Sequence, residues 1–277
     1  NLKNNIFSLT MFYIQPLLVT HHQTPSRASQ RTELYLRSEA IINNAVRDSR
    51  PFRKFYRRHF AMSTTTARHN MVENQIRTNR ITDELIIEAM DDIPREAYVP
   101  EMYKGIAYID TSISLENDRH IMEPLALARL TQAAEIMPGD IALVVGSGAG
   151  YAAALIARLA DAVVALESDK ALAASSVETL TDQGIDTVAV VTGALNKGYA
   201  KQAPYDVILF NGAVAEVPEA ILKQLAEGGR LVAIVAEPTV GRGMIYTRTS
   251  SGVFGRHAFD ANAPILPGFE QKPEFVF

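Results

Sequence analysis

The 277-residue chain contains no cysteine. That excludes disulfides, Cys-ligated zinc and a thiol nucleophile, and it is compatible with a reducing, cytoplasmic setting. Histidine is scarce: after residue 70 only His120 and His257 occur. Neither has metal-ligand spacing, and no Ser-His-Asp set can be assembled, so metal-assisted hydrolysis and triad chemistry have no carrier. No good membrane span is present either. The uncharged run Ile141–Ala157 has 17 residues, short of the roughly 20 a bilayer requires, and it holds three glycines.

Charge of one sign is scarce in each part. Residues 1–70 carry 11 Lys/Arg against 3 Asp/Glu, whereas residues 71–277 carry 16 against 28. The first part combines an apolar stretch broken by Pro16, the basic aromatic cluster "RPFRKFYRRHF" and the polar run "STTTARHN". Three readings compete. Ile6–Val19 could be the apolar core of a targeting signal, or the basic cluster could contact nucleic acid or an anionic membrane. The reading carried forward is a basic extension, disordered or non-native, with Met62 as a natural start. The second part, 71–277, is acidic, which disfavours a nucleic-acid substrate. Its 47% hydrophobic whole-chain background is ample for a core.

Within 71–277 the first stretch, to residue 135, reads as a small helical part lying over a sheet. "NRITDELIIEAM" opens with Thr82 as cap, Ile81 stapling to Ile86, and Leu85, Ile86, Ala89 and Met90 on one face. "IPREAYVPEMYKGIAYID" reads as an irregular, Pro-bounded segment. From residue 136 strands and helices alternate. "IALVVG", "AVVALE", "TVAVVTG", "YDVILFNGA" and "RLVAIVA" are apolar strands, with helices at Tyr151–Ala160, in "DKALAASSVETLTDQG" and in "EVPEAILKQLAEGG". Continuous Val/Ile/Leu runs are strands covered on both faces, so the expected class is α/β with a mostly parallel sheet.

The stretch "LVVGSGAGYAAALIARL" places Gly146, Gly148 and Gly150 between the first strand and its helix. In such sheets ligands bind beyond the carboxyl ends of the strands, and glycine lets backbone approach a ligand closely. A dinucleotide fingerprint would want a small residue at Tyr151. G-x-G-x-G followed by an acid ending the next strand, here Glu167 at 21 residues from Gly146, suits the ribose hydroxyls of S-adenosylmethionine. Its alternative role is a solvated acid at a strand end.

Several blocks, in order, carry a family resemblance: "MVENQI", "IPREAYVPEMYKGIAY", "VVGSGAGYAAALIARLA", "APYDVILFNGAVAEVPEAILKQLAEGGRLVAIV" and "PGFEQKPEFVF". Residues 71–277 resemble the protein-L-isoaspartate O-methyltransferase family. The resemblance implies a class I S-adenosylmethionine-dependent fold, Rossmann-like with helices on both faces. It also implies methylation of the free carboxylate of isoaspartyl residues in flexible protein or peptide segments, as a repair step. The implied cofactor residues are Gly146, Ser147, Gly148, Gly150, Tyr151, Glu167 and Ser168.

Three positions depart from the family pattern. Met122, in "HIMEP", stands where the family has a serine that touches the acceptor, and Glu123 beside it brings a negative charge. Val144 replaces the acid that opens the cofactor loop, and Ala194 replaces an acid near the adenine. Each lost polar contact weakens binding by about 0.5–1.5 kcal/mol, so weakened cofactor binding is expected and no catalytic residue is assigned. His120 could orient a carboxylate or be a solvated loop histidine, and Tyr103 and Tyr108 could line the acceptor groove. Two further functions stay open: a catalytically degenerate relative kept as a binding scaffold, and a methyltransferase retargeted to another acceptor.

Overall fold

The computed structural model describes residues 63–115 and 117–270. The targeting, basic-cluster and start-site readings of residues 1–62 lie outside these, as does most of the terminal "PGFEQKPEFVF" block. The polar run "STTTARHN" forms most of a helix. Ser63 accepts a hydrogen bond from the Thr66 N–H and starts α1, Thr64–Met71. The chain then tightens through a π turn at Val72–Ile76 and a 3-10 turn at Arg77–Asn79 before α2, Glu84–Asp92.

The cap of α2 is Asp83, whose carboxylate accepts from the Leu85 N–H; Thr82 instead donates its own N–H to the Gln132 side chain. The buried face comprises Ile86, Ile87, Ala89 and Met90, while Leu85 is 57% exposed. Of the expected stripe, Ile86, Ala89 and Met90 are buried, and Ile87 rather than Leu85 completes it.

A two-strand hairpin follows, β1 Ile113–Ser114 against β2 His120–Ile121, and then α3, Pro124–Ala133. The main sheet begins with β3, Ile141–Val145. It continues through α4 Tyr151–Ala157, β4 Ala162–Glu167, α5 Lys170–Asp182, β5 Val188–Thr192, β6 Tyr205–Val214 and the short α6 Glu219–Leu222. β7 Leu225–Val235, β8 Arg242–Thr249 and β9 Gly252–Asp260 complete it. Seven strands lie in the order β5-β4-β3-β6-β7-β8-β9, the first five parallel and the last two antiparallel.

The two faces of β3 show the packing rule directly. Ala142 and Val144 point into a core shared with α2, α3 and α4, while Leu143 and Val145 point into a second core holding Phe210, Leu231 and Leu266. Alternation with both faces apolar is what a sheet covered on two sides demands. The second face is covered more thinly than expected. "EVPEAILKQLAEGG" yields only the four-residue α6, because "LAEGGR" is drawn into β7 alongside β6. The C-terminal residues 261–269 supply much of the remaining cover. The neighbours of β3 lie on opposite sides, β4 and β6, so chain order reverses there, and the carboxyl ends of these three strands frame the site.

Candidate cofactor and acceptor site

The glycine turn is built as a backbone cradle. Gly146 has φ +77° and Gly150 φ +99°, left-handed values that an L side chain resists. Gly146 N–H and Ser147 N–H both donate to the Leu166 carbonyl at 2.9 and 3.0 Å, which ties the turn to the end of β4. At Gly150, which leads into α4, an added Cβ would lie 2.5 Å from the Ser176 hydroxyl on α5.

Glu167 closes β4 and is fully buried. Its Oε1 accepts from Ser168 N–H at 2.7 Å and Asp169 N–H at 3.0 Å, and its Oε2 from Gly148 N–H at 2.6 Å. Arg119, at the foot of β2 and only 3% exposed, completes the shell: Nε donates to Oε1 at 3.1 Å and Nη2 to Oε2 at 2.9 Å. Burial alone would push the Glu167 carboxyl up. The Arg119 guanidinium outweighs it and, with the Asp169 and Gly148 N–H groups, holds the carboxyl below its ordinary range. Asn117, in the same hairpin, donates to the Asp169 side chain, so the hairpin is clamped at two points onto the end of β4.

Opposite lies the C-terminal segment. Ala213 N–H donates to the Pro264 carbonyl and Leu266 N–H to the Ala213 carbonyl, both at 2.8 Å. The Leu266 methyls reach to 2.7 Å of where a Cβ on Gly146 or Gly212 would stand. What remains is a cavity of about 10 Å³, walled by Arg119, His120, Met122, Asn211 and Leu266 among others. That is room for about one water.

The implied cofactor can be tested against this arrangement. Unpaired polar atoms are at hand: Ser147 Oγ, His120 Nδ1 and Asn211 Oδ1 are buried beside the turn with no protein partner. The volume is not. A cofactor-sized ligand fills a pocket of roughly 300–1,000 Å³, far more than the cavity that Arg119 and Leu266 wall here. In this arrangement the turn admits S-adenosylmethionine only if Arg119 and Leu266, which wall the small cavity, move aside.

The residues expected at the site separate into groups. Gly146, Ser147, Gly148 and Glu167 converge on the turn. Ser168 is exposed and its hydroxyl donates to Glu167. The Tyr151 ring points away from the cavity, edge-on to Tyr98 and 4.9 Å beneath the Arg95 guanidinium. Val144 is buried in the core on the α2–α4 face, and Ala194 is exposed just before the turn Leu195–Lys197. Met122 is 1% exposed and walls the cavity; its carbonyl accepts from Arg95 Nη2 at 2.6 Å.

His120 is not a solvated loop residue: it sits on β2 and borders the cavity. Tyr108 is buried, its hydroxyl bonded to Glu96, and Tyr103 is partly buried against the core. Glu123, feared as a repelling charge, has its pKa pushed up to about 7 by burial and by Asp110, against the opposing charges of Arg129 and Arg95. Arg119, Asn211 and Leu266 were not singled out from the sequence. Asn211 lay within the strand "YDVILFNGA", but nothing local marked Arg119 or Leu266.

This fold, a parallel sheet with an antiparallel end and a glycine turn at the strand-order reversal, is that of the class I S-adenosylmethionine-dependent methyltransferases. Residues 66–254 match the family model described as protein-L-isoaspartate(D-aspartate) O-methyltransferase. The chain belongs to the protein-L-isoaspartate O-methyltransferase family, whose members are methyltransferase enzymes. It is 39% identical over 193 residues to the protein-L-isoaspartate O-methyltransferase of Koribacter versatilis, covering 70% of this chain and 86% of that one. Over 205 residues it is 31% identical to that of Gloeobacter violaceus, covering 74% of this chain and 99% of the relative. A Plasmodium falciparum structure of this description, in complex with S-adenosyl-L-homocysteine, superposes with a TM-score of 0.63 at 24% identity. That match covers 72% of this chain and 97% of the other, and is a likeness of fold.

Proposed function

We propose that this protein is an S-adenosylmethionine-dependent carboxyl methyltransferase of the isoaspartyl-repair type. It would methylate the free α-carboxylate of L-isoaspartyl residues in flexible protein or peptide segments, in the cytoplasm. The observation that carries the reading is the family match across residues 66–254. Its glycine turn stands at the strand-order reversal, next to the buried carboxylate of Glu167. The residues proposed to contact the cofactor are Gly146, Ser147, Gly148 and Gly150 of the turn with Tyr151 behind it, together with Glu167 and Ser168. With Val144 and Ala194 in place of acids, and Arg119 and Leu266 in the space, affinity is proposed to be weaker than the family pattern implies.

The chemistry asks for placement rather than proton transfer. A carboxylate acceptor is ionised at pH 7, so no general base is required. Orientation of reacting groups can supply on the order of 7–11 kcal/mol. What the chain must do is hold the acceptor carboxylate and keep water out, and the buried walls at Met122 and Leu266 suit the second task. Among the described residues no helix is long and apolar enough to cross a membrane.

The test is calorimetric titration of S-adenosylmethionine into the full chain, with methyl transfer to an isoaspartyl peptide assayed on the same sample. Binding with methylation is expected. Binding without peptide methylation would point to another acceptor, and no binding at millimolar cofactor would overturn the reading.

A further inference from the structure

The acceptor proposed above is a carboxylate, and a carboxylate entering a buried site needs a cation or several donors, or it stays in water. Met122, at the position where the family has a hydroxyl, provides neither. Its thioether is at best a weak acceptor, and its carbonyl is engaged by Arg95. His120 brings one unpartnered ring nitrogen to the cavity. Of the residues walling the cavity, the one with a permanent positive charge is Arg119, three positions before Met122.

Resting on that functional reading, we propose that Arg119 is the positioning residue for the acceptor carboxylate. Its guanidinium exchanges Glu167 for the isoaspartyl carboxylate when the acceptor binds. Two observations make the exchange chemically balanced. The pair with Glu167 is already a fork on a carboxylate, through Nε and Nη2, so the same geometry serves a second carboxylate. Glu167 is not stranded when Arg119 turns away, because Gly148, Ser168 and Asp169 N–H groups continue to donate to both its oxygens. No bond is made or broken in the exchange; one ion pair replaces another. The same movement opens the space beside Gly146, where Nη2 now stands 3.0 Å from an added Cβ.

The experiment compares binding of an isoaspartyl peptide with that of the same peptide carrying a carboxamide in place of the free carboxylate. It uses the full chain and fluorescence anisotropy, with methylation followed in parallel. The wild type is expected to prefer the carboxylate peptide at least tenfold. Arg119→Gln should bring the two affinities within about twofold while circular dichroism stays unchanged. Arg119→Lys, which keeps the charge but not the fork, should retain an intermediate preference. This variant decides the matter if Arg119→Gln does not fold. A folded variant that keeps the full wild-type preference overturns the proposal while leaving the functional reading intact. A wild type that neither binds nor methylates the peptide overturns both.

Discussion

Arg119 and Glu167, 48 residues apart in the chain, meet as a two-pronged ion pair, Nε to Oε1 at 3.1 Å and Nη2 to Oε2 at 2.9 Å, with almost no exposure to solvent. The pair joins the β1–β2 hairpin to the end of β4. It also occupies the ground beside the glycine turn. Stability and ligand access are therefore tied to the same two side chains.

Removing one partner leaves a buried charge. Arg119→Met should lower stability by about 1.5–3 kcal/mol, because Glu167 loses its charge-assisted bonds to the guanidinium while the Gly148, Ser168 and Asp169 N–H groups still hold it. Equilibrium urea unfolding at pH 7 measures this. Since Glu167 is held below its ordinary pKa in the fold, its contribution is present above the unfolded carboxyl value and lost as pH falls through the folded one. Wild type and Glu167→Gln should accordingly converge in stability toward acid pH. A constant gap from pH 7 down to pH 3 would contradict the assignment.

Glu123 predicts the opposite pH sense. Its pKa is about 7 in the fold against an ordinary 4.5, so its stabilising balance is present below about 4.5 and lost as pH rises through 7. Glu123→Gln should be neutral below pH 4.5 and stabilising above pH 7, by roughly 2 kcal/mol after allowance for partial solvent contact. Thermal melts of the two proteins at pH 4.5, 6 and 8 decide it; a gain at all three pH values would rule out titration of Glu123 as the cause.

Leu266→Ala separates stability from binding. The side chain is 1% exposed and packs over Gly146 and Gly212. Truncation should cost about 2–5 kcal/mol in unfolding experiments. The same truncation enlarges the cavity at the turn. S-adenosylmethionine should therefore bind several-fold tighter than to wild type, as read by calorimetry. If affinity falls with stability, Leu266 is part of the binding surface and not an obstruction.

Arg95 braces the segment around Met122 from within the core. It is fully buried, donating to the Ala107 carbonyl at 2.8 Å and the Met122 carbonyl at 2.6 Å, with its guanidinium over Tyr151. Arg95→Leu removes the hydrogen bonds and leaves two carbonyls without those donors, at about 1–3 kcal/mol each. A fall in melting temperature together with faster amide exchange around residues 107 and 122 is expected. A substitution that leaves melting unchanged would show that water replaces the guanidinium without loss.

The five parallel strands of the main sheet were legible in the sequence because each is a contiguous apolar run, and the period of burial is a local property of the chain; β8 and β9 were not read, because "RGMIYTRT" and "GVFGRHAFD" mix polar and apolar residues. "AVVALE" coincides with β4, Ala162–Glu167, and the glycine turn stands where its three glycines placed it. The face of α2 was read correctly at Ile86, Ala89 and Met90, and only Leu85 was misplaced: what α2 packs against, which the sequence does not show, buries Ile87 instead. "EVPEAILKQLAEGG" was misjudged for a nonlocal reason: pairing with β6 outweighed helix propensity over "LAEGGR".

Glu167 could be picked out as an acid ending a strand beside a glycine turn, but not what it touches. Its partner Arg119 comes from a hairpin, and Leu266 from a segment far along the chain; neither position bears a local mark of its role. By itself the sequence determined the five parallel strands, their order along the chain and the glycine cradle, because periodicity and backbone permissiveness act over a few residues. Only the tertiary structure decided that the cradle is filled, because the filling depends on which distant side chains the packing of hairpin, sheet and C-terminal segment brings into one small volume.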